Sequence, residues 1–178
     1  MKVLIASDIH GSSFYAEELQ RVIESEKPDI ICLLGDFLYS GPRNPVREDY
    51  NPKAVVEILN HYADKIIAVR GNCDADIDLA VLNFALPKRN ELVINNRRLV
   101  LLHGDDMDLH DVQIKKGNIV LYGHTHRPQM AWADGVLVLN PGSLSFPKEG
   151  YPHTYILMDE KEVQLRDLAG RTLEIRSL

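Results

Sequence analysis

Cysteine is scarce in this chain: two occur in 178 residues, Cys32 inside the apolar run IICLL and Cys73 in the polar turn RGNCD. That scarcity excludes a disulfide framework and a thiolate-rich zinc knot, and it fits a reducing compartment. Long hydrophobic runs are missing as well. The opening MKVLIASD meets a charge after too few apolar residues for a signal peptide, and no stretch nears bilayer length. The expected location is the cytoplasm, with no membrane partner. Positive charge is in deficit, 20 Lys and Arg against 26 Asp and Glu for a net of -6, which argues against extended nucleic-acid binding through a broad basic surface. Internal repeats, low-complexity tracts and Ser/Gly linkers are also absent. With 45% hydrophobic residues, the expectation is one α/β domain spanning residues 1–178.

What is present falls into two halves. KVLIA, DIICLL and KIIAVR read as strands. Between them SSFYAEELQRVIESEK reads as a helix capped at Ser12 or Ser13, with Leu19, Val22 and Ile23 at helical spacing and Pro28 as its stop. PKAVVEILNHYAD reads as a second helix, begun by Pro52. The order β-α-β-α-β implies a parallel layer. From about residue 84 short β-like runs follow, among them ELVI, RLVLLH, NIVLYGH, VLVLN and HTYILMD. Asn95-Asn96 and Asp134-Gly135 read as hairpin turns, so a second, mostly antiparallel sheet sharing the core is expected. The stretch 36–51 is long for a structureless loop and reads as functional.

Metal-type side chains recur where these strands end, which is where open α/β sheets place ligand crevices. They are Asp8 and His10 after KVLIAS, Asp36 after IICLLG, Asn72 after KIIAVRG, His103 after RLVLL, and His124 and His126 after IVLYG. Each motif alone is weak; their order and placement carry the signal. Two carboxylates, four imidazoles and an amide suit borderline divalent ions, with manganese first and iron, cobalt, nickel or zinc as alternatives. Seven ligands exceed the needs of one such ion. With Asp36 shared, two ions each receive four protein ligands, the pattern of a two-metal hydrolase. Two dications, two aspartates and a hydroxide leave a single positive charge, which a phosphodiester would neutralise.

DIH at 8–10, GD at 35–36, GNCD at 71–74, His103-Gly104 and GHTH at 123–126 together resemble the signature of calcineurin-like metallophosphoesterases. Within that superfamily SDIHGS, GPRN, VRGNCD, GHTHRP and NPGS most resemble the small bacterial YfcE-type phosphodiesterases. The resemblance covers nearly the whole chain. It implies a four-layer αββα sandwich and hydrolysis of small phosphodiesters by a metal-bridging hydroxide. It also implies one ion on Asp8, His10, Asp36 and His126, the other on Asp36, Asn72, His103 and His124, and a homodimer or higher homo-oligomer. Alternatives are a phosphomonoesterase or dinucleoside-polyphosphate hydrolase, or a scaffold that keeps the fold for protein interaction.

Two departures stand out. Cys73 occupies the position where the superfamily commonly has a histidine general acid, and Asp105 stands where His-Gly-His is frequent. A thiol near its ordinary pKa is a weak donor, so Cys73 reads as a small filler without a direct catalytic part. Arg43 in the GPRN loop is a candidate phosphate contact. The acidic run 105–111 reads as a solvated rim, with His110 as an alternative proton donor, and His61 and His153 read as surface residues.

Overall fold

A computed structural model describes residues 1–106 and 113–178. Three parallel strands, β1 (Val3–Ala6), β2 (Ile30–Leu33) and β3 (Ile66–Ala68), alternate with α1 (Ser13–Glu26) and α2 (Pro52–His61). Ser12 caps α1, its side chain accepting from the Tyr15 amide. The helix stops at Lys27, left-handed at φ 48°, one residue before Pro28. Asn51 caps α2 and Pro52 opens it. On β1 the two-residue period sorts the core: Leu4 and Ala6 meet the helices, while Val3 and Ile5 face the other sheet. Leu19, Val22, Ile23, Val55 and Leu59 supply the helical side of that contact. Burying each such side chain is worth at most about 1.5–3 kcal/mol.

The second half contains β4 (Arg89–Ile94), β5 (Arg97–Leu102), β6 (Ile119–Leu121), β7 (Pro128–Ala133) and β8 (Val136–Pro141), followed by β9 (Thr154–Met158), β10 (Glu162–Asp167) and β11 (Thr172–Ser177). Both expected hairpin turns are present: Asn95, Asn96, Asp134 and Gly135 all have positive φ, as a two-residue turn matched to strand twist requires. The expectation of a mostly antiparallel second sheet is corrected. In the order β4-β5-β6-β8-β7, the central pairs β5/β6 and β6/β8 are parallel and only the edge pairs are antiparallel. The chain passes beyond β8 to form β7 and then returns, so β8 runs in the direction of β6. The last three strands leave this sheet altogether and extend the first one, in the order β11-β10-β9-β1-β2-β3. They belong there because Ile156, Met158, Val163 and Leu165 join the apolar layer between the two sheets.

The sheets therefore pack face to face, with α1 and α2 on the outer face of the six-stranded sheet. Val100, Leu102, Val120 and Tyr122 form a smaller cluster apart from the layer between the sheets; among the described residues no helix lies over the five-stranded sheet. No helix among the described residues is long and apolar enough to cross a membrane.

Candidate metal centre

Parallel strands from both sheets end at the same edge, and their following loops bring all seven metal-type residues together. The loops are bonded to one another through main chain: Asp8 N donates to Gly35 O at 3.1 Å, His10 N to Asp36 O at 2.9 Å, and Gly123 N to His103 O at 2.8 Å. Close approach explains two of the glycines. A Cβ on Gly71 would overlap the Asp36 carboxylate, and one on Gly123 would overlap Ser7 Oγ and reach Asp8 Oδ2. Five of the seven candidates, Asp8, His10, Asp36, His124 and His126, have φ between 49° and 62°. Non-glycine residues rarely hold that conformation without support from their surroundings.

The supporting residues were only partly legible. Asp74 accepts from the amides of Asp36 (2.9 Å), Phe37 (2.8 Å) and Gly71 (2.7 Å), tying the β2 loop to the β3 loop. Burial pushes its carboxyl up to about 6, against the pull of those amides. Ser143 and Ser145 each donate to Asp8 O at 2.9 Å, and Asn140 donates to Gly123 O, which explains the NPGS stretch.

Imidazole orientation decides what the cluster can hold. His10, His103 and His126 each place Nδ1 at 2.6–2.8 Å from a main-chain carbonyl, of Tyr39, Leu34 and Phe146 respectively. A carbonyl only accepts, so each Nδ1 carries the proton and each neutral ring turns a bare Nε2 lone pair inward. His10 Nε2 and His126 Nε2 face each other at 3.2 Å and lie 3.5 and 3.1 Å from Asp8 Oδ1. That oxygen is fully buried and has no hydrogen-bond partner. Asn72 Oδ1 lies 3.1 Å from His103 Nε2 and 2.8 Å from His124 Nδ1. Asp36 Oδ2 sits between the two groups, 3.7 Å from His10 Nε2 and 3.4 Å from His103 Nε2.

Acceptors converging on acceptors repel unless a positive charge lies among them. Proton affinities carry the same message. Burial opposes charge on His10 and His103, yet the Asp8 and Asp36 carboxylates raise them to about 10 and about 9. Burial would raise Asp8, but hydrogen bonding and charge from the neighbouring imidazoles hold it far below the carboxylate range. His124 is lowered, by desolvation first and then by the charge of His103. Divalent cations fit this donor set.

Cys73 and Arg43 also reach the centre. They line a cavity of ≈ 300 Å³ with His10, Asp36, His124 and His126, and Lys148 enters it from the β8–β9 loop. Lys148 carried no signal in the sequence beyond its charge. Asp105 is exposed and lines a separate cleft of ≈ 670 Å³ beside Arg70, Lys88 and Arg89. His110 lies outside the described residues. His61 is exposed at the end of α2 as expected. His153 is not a plain surface residue: it is half-buried, stacked on Tyr15 and bonded to both the Tyr15 hydroxyl and Leu144 O.

The calcineurin-like phosphoesterase superfamily domain matches residues 1–163. The chain belongs to that superfamily. Phosphodiesterase YfcE of Escherichia coli is 37% identical over 161 residues, covering 89% of this chain and 88% of the relative. A solved structure of YfcE, described as a phosphoesterase from E. coli, superposes with TM-score 0.94 at 34% identity, covering 99% of each chain. Vps29 of Entamoeba histolytica, at 17% identity and TM-score 0.66 over 100% of this chain and 99% of its own, shares the fold alone. The expected superfamily, sandwich fold and enzymatic class are thereby borne out. The chain is a metal-dependent phosphoesterase, and divalent ions are the cofactor its family implies.

Proposed function

We propose that this phosphoesterase hydrolyses phosphodiester bonds of small substrates with two divalent ions. One is held by Asp8, His10, Asp36 and His126, the other by Asp36, Asn72, His103 and His124. The observation that carries the reading is the position of Asp36 Oδ2 between two converging sets of lone pairs, 3.7 Å from His10 Nε2 and 3.4 Å from His103 Nε2. Bound ions supply a nucleophile active at neutral pH and Lewis-acid charge for the phosphoryl group. Backbone carbonyls fix the histidine tautomers, and Asp74 fixes the loops that carry Asp36 and Asn72. Arg43 and Lys148, facing the same cavity, hold the non-reacting oxygens of the anionic substrate. The name of YfcE and the single positive charge of the loaded centre both support a diester over a dianionic monoester. Manganese is the first choice of ion, as hard carboxylate and amide donors sit beside imidazoles.

Residues 1–178 act as one domain, in the cytoplasm, in a homodimer or higher homo-oligomer with no nucleic-acid or membrane partner; light scattering tests the assembly. Elemental analysis with steady-state rates tests the site. Two ions per chain are expected, with Asp36→Ala and Asn72→Ala losing metal and turnover together. Unchanged metal and turnover in both variants would sink the shared-ligand arrangement. Faster cleavage of aryl monoesters than of aryl diesters would reverse the choice of substrate.

A further inference from the structure

Cys73 reads in the sequence as a filler, but its sulfur lies inside the acceptor cluster. Sγ, a nitrogen of His10 and a carboxylate oxygen of Asp36 all lie within 4.8 Å of one another. Nδ1 of His10 is committed to Tyr39 O, so the nitrogen available to an ion is Nε2. The same Nε2 faces Asp8 Oδ1, the buried oxygen without a partner. Three features of the chain direct the thiol there. The Cys73 amide donates to Asp36 Oδ1 at 2.8 Å, which fixes the backbone beside the carboxylate. Asn72 Nδ2 lies 3.3 Å from Sγ and donates to it, which turns Asn72 Oδ1 toward His103 and His124. Gly41, at φ +73°, closes over the sulfur so tightly that a Cβ there would lie 2.6 Å from it.

We propose that Cys73 is a thiolate ligand to the ion held by Asp8, His10, Asp36 and His126, an inference that rests on the two-metal reading above. On binding, the S–H bond breaks, the proton leaves to solvent and a sulfur lone pair forms the bond to the metal. The sulfur accepts the Asn72 N–H better as a thiolate than as a thiol, so ligation and amide orientation reinforce each other. The thiolate also cancels the residual positive charge of the centre. Arg43 and Lys148 restore the attraction for an anionic substrate from the cavity wall. A soft ligand in this position biases the site toward thiophilic ions such as zinc and cobalt, relative to an all-oxygen-and-imidazole centre.

Cobalt(II) substitution gives a readout independent of turnover. A sulfur-to-cobalt charge-transfer band in the near ultraviolet is expected for the native chain. In Cys73→Ser that band should be lost while the visible ligand-field bands persist. The ratio of zinc to manganese affinity should fall about tenfold or more in the same variant. Cys32 is fully buried, so Cys73 is the thiol open to a thiol reagent in the folded protein, and zinc loading should suppress its reaction. Cobalt bound with ligand-field bands but no charge-transfer band, and a thiol still reactive when loaded, would overturn the proposal and leave the metal site standing. Failure of cobalt to bind at all would overturn the metal reading itself.

Discussion

Asp74 shows how a single residue organises the centre without being one of its candidate ligands. Its carboxylate is the acceptor for three buried amides on two loops, and the space it occupies is closed to water. Asp74→Ala is expected to destabilise the fold by about 3 kcal/mol, since each unpaired buried donor costs on the order of 1–3 kcal/mol and part is recovered by relaxation. Asp74→Asn should lie between, because its amide keeps one acceptor but points a donor at the remaining amides. Urea unfolding measures both. Loss of metal affinity without loss of stability would show that Asp74 tunes charge and does not clamp the loops. In the sequence Asp74 looks like any turn acid. The seven metal-type residues were legible because each has an unusual chemistry at a strand end; Asp74 was not, because its partners are main-chain groups up to 38 positions away.

At the scale of elements, the loop 36–51 is pinned at both ends and open between. Its start is held by Asp74, and its end by Asp49, which accepts from the Ser12 hydroxyl and from Arg47 Nε. Arg47 in turn lies over the rings of Tyr15 and Phe146, at 4.9 and 5.7 Å from their centroids. Asp49→Ala is expected to leave the helices intact by circular dichroism and to raise KM for a diester severalfold, with a smaller effect on kcat, because it loosens the loop that presents Arg43. An unchanged KM would mean that the loop is held by its main-chain bonds alone. The same region contains a pH-sensitive joint. His153 donates from Nδ1 to Leu144 O and accepts the Tyr15 hydroxyl at Nε2, so it is neutral in the fold. Desolvation, and the charge of Arg47 facing it, hold its pKa below the ordinary histidine value. A depressed base favours folding while neutral. Its contribution is therefore complete above the unfolded pKa near 6.5 and is lost as pH falls through the lower folded value. Comparing His153→Gln with the native chain, the difference in unfolding free energy should shrink on going from neutral to mildly acidic pH. A difference that is constant with pH would rule this out. The helices, hairpins and strand positions were legible from periodicity and turn residues. The sheet to which β9–β11 belong was not, since the same alternating pattern suits either face of the shared apolar layer.

For the molecule as a whole, the centre is assembled from loops of both sheets, so it exists only while the sheets stay packed. Asp8, His10, Asp36 and Asn72 follow strands of the six-stranded sheet, and His103, His124 and His126 follow strands of the other. A cation bound across that seam stabilises the folded chain by mass action, about 4 kcal/mol at a thousandfold excess over Kd. Leu137, fully buried between the sheets on β8, contributes to the same seam through packing alone. Leu137→Ala should cost about 2–5 kcal/mol, the range for a buried leucine that leaves a cavity. Leu137 lies near the start of β8, whereas the centre lies at the opposite strand ends, so the two effects should add within about 0.5 kcal/mol. Unfolding of native and variant protein, each with chelator and with excess manganese, measures all four states. Equal stabilisation by metal in both proteins is the expected result. If the metal increment disappeared in Leu137→Ala while the variant remained folded, the centre would depend on fine adjustment of the sheets and not on loop geometry, and the local clamping assigned to Asp74 and the NPGS serines would be insufficient to hold it.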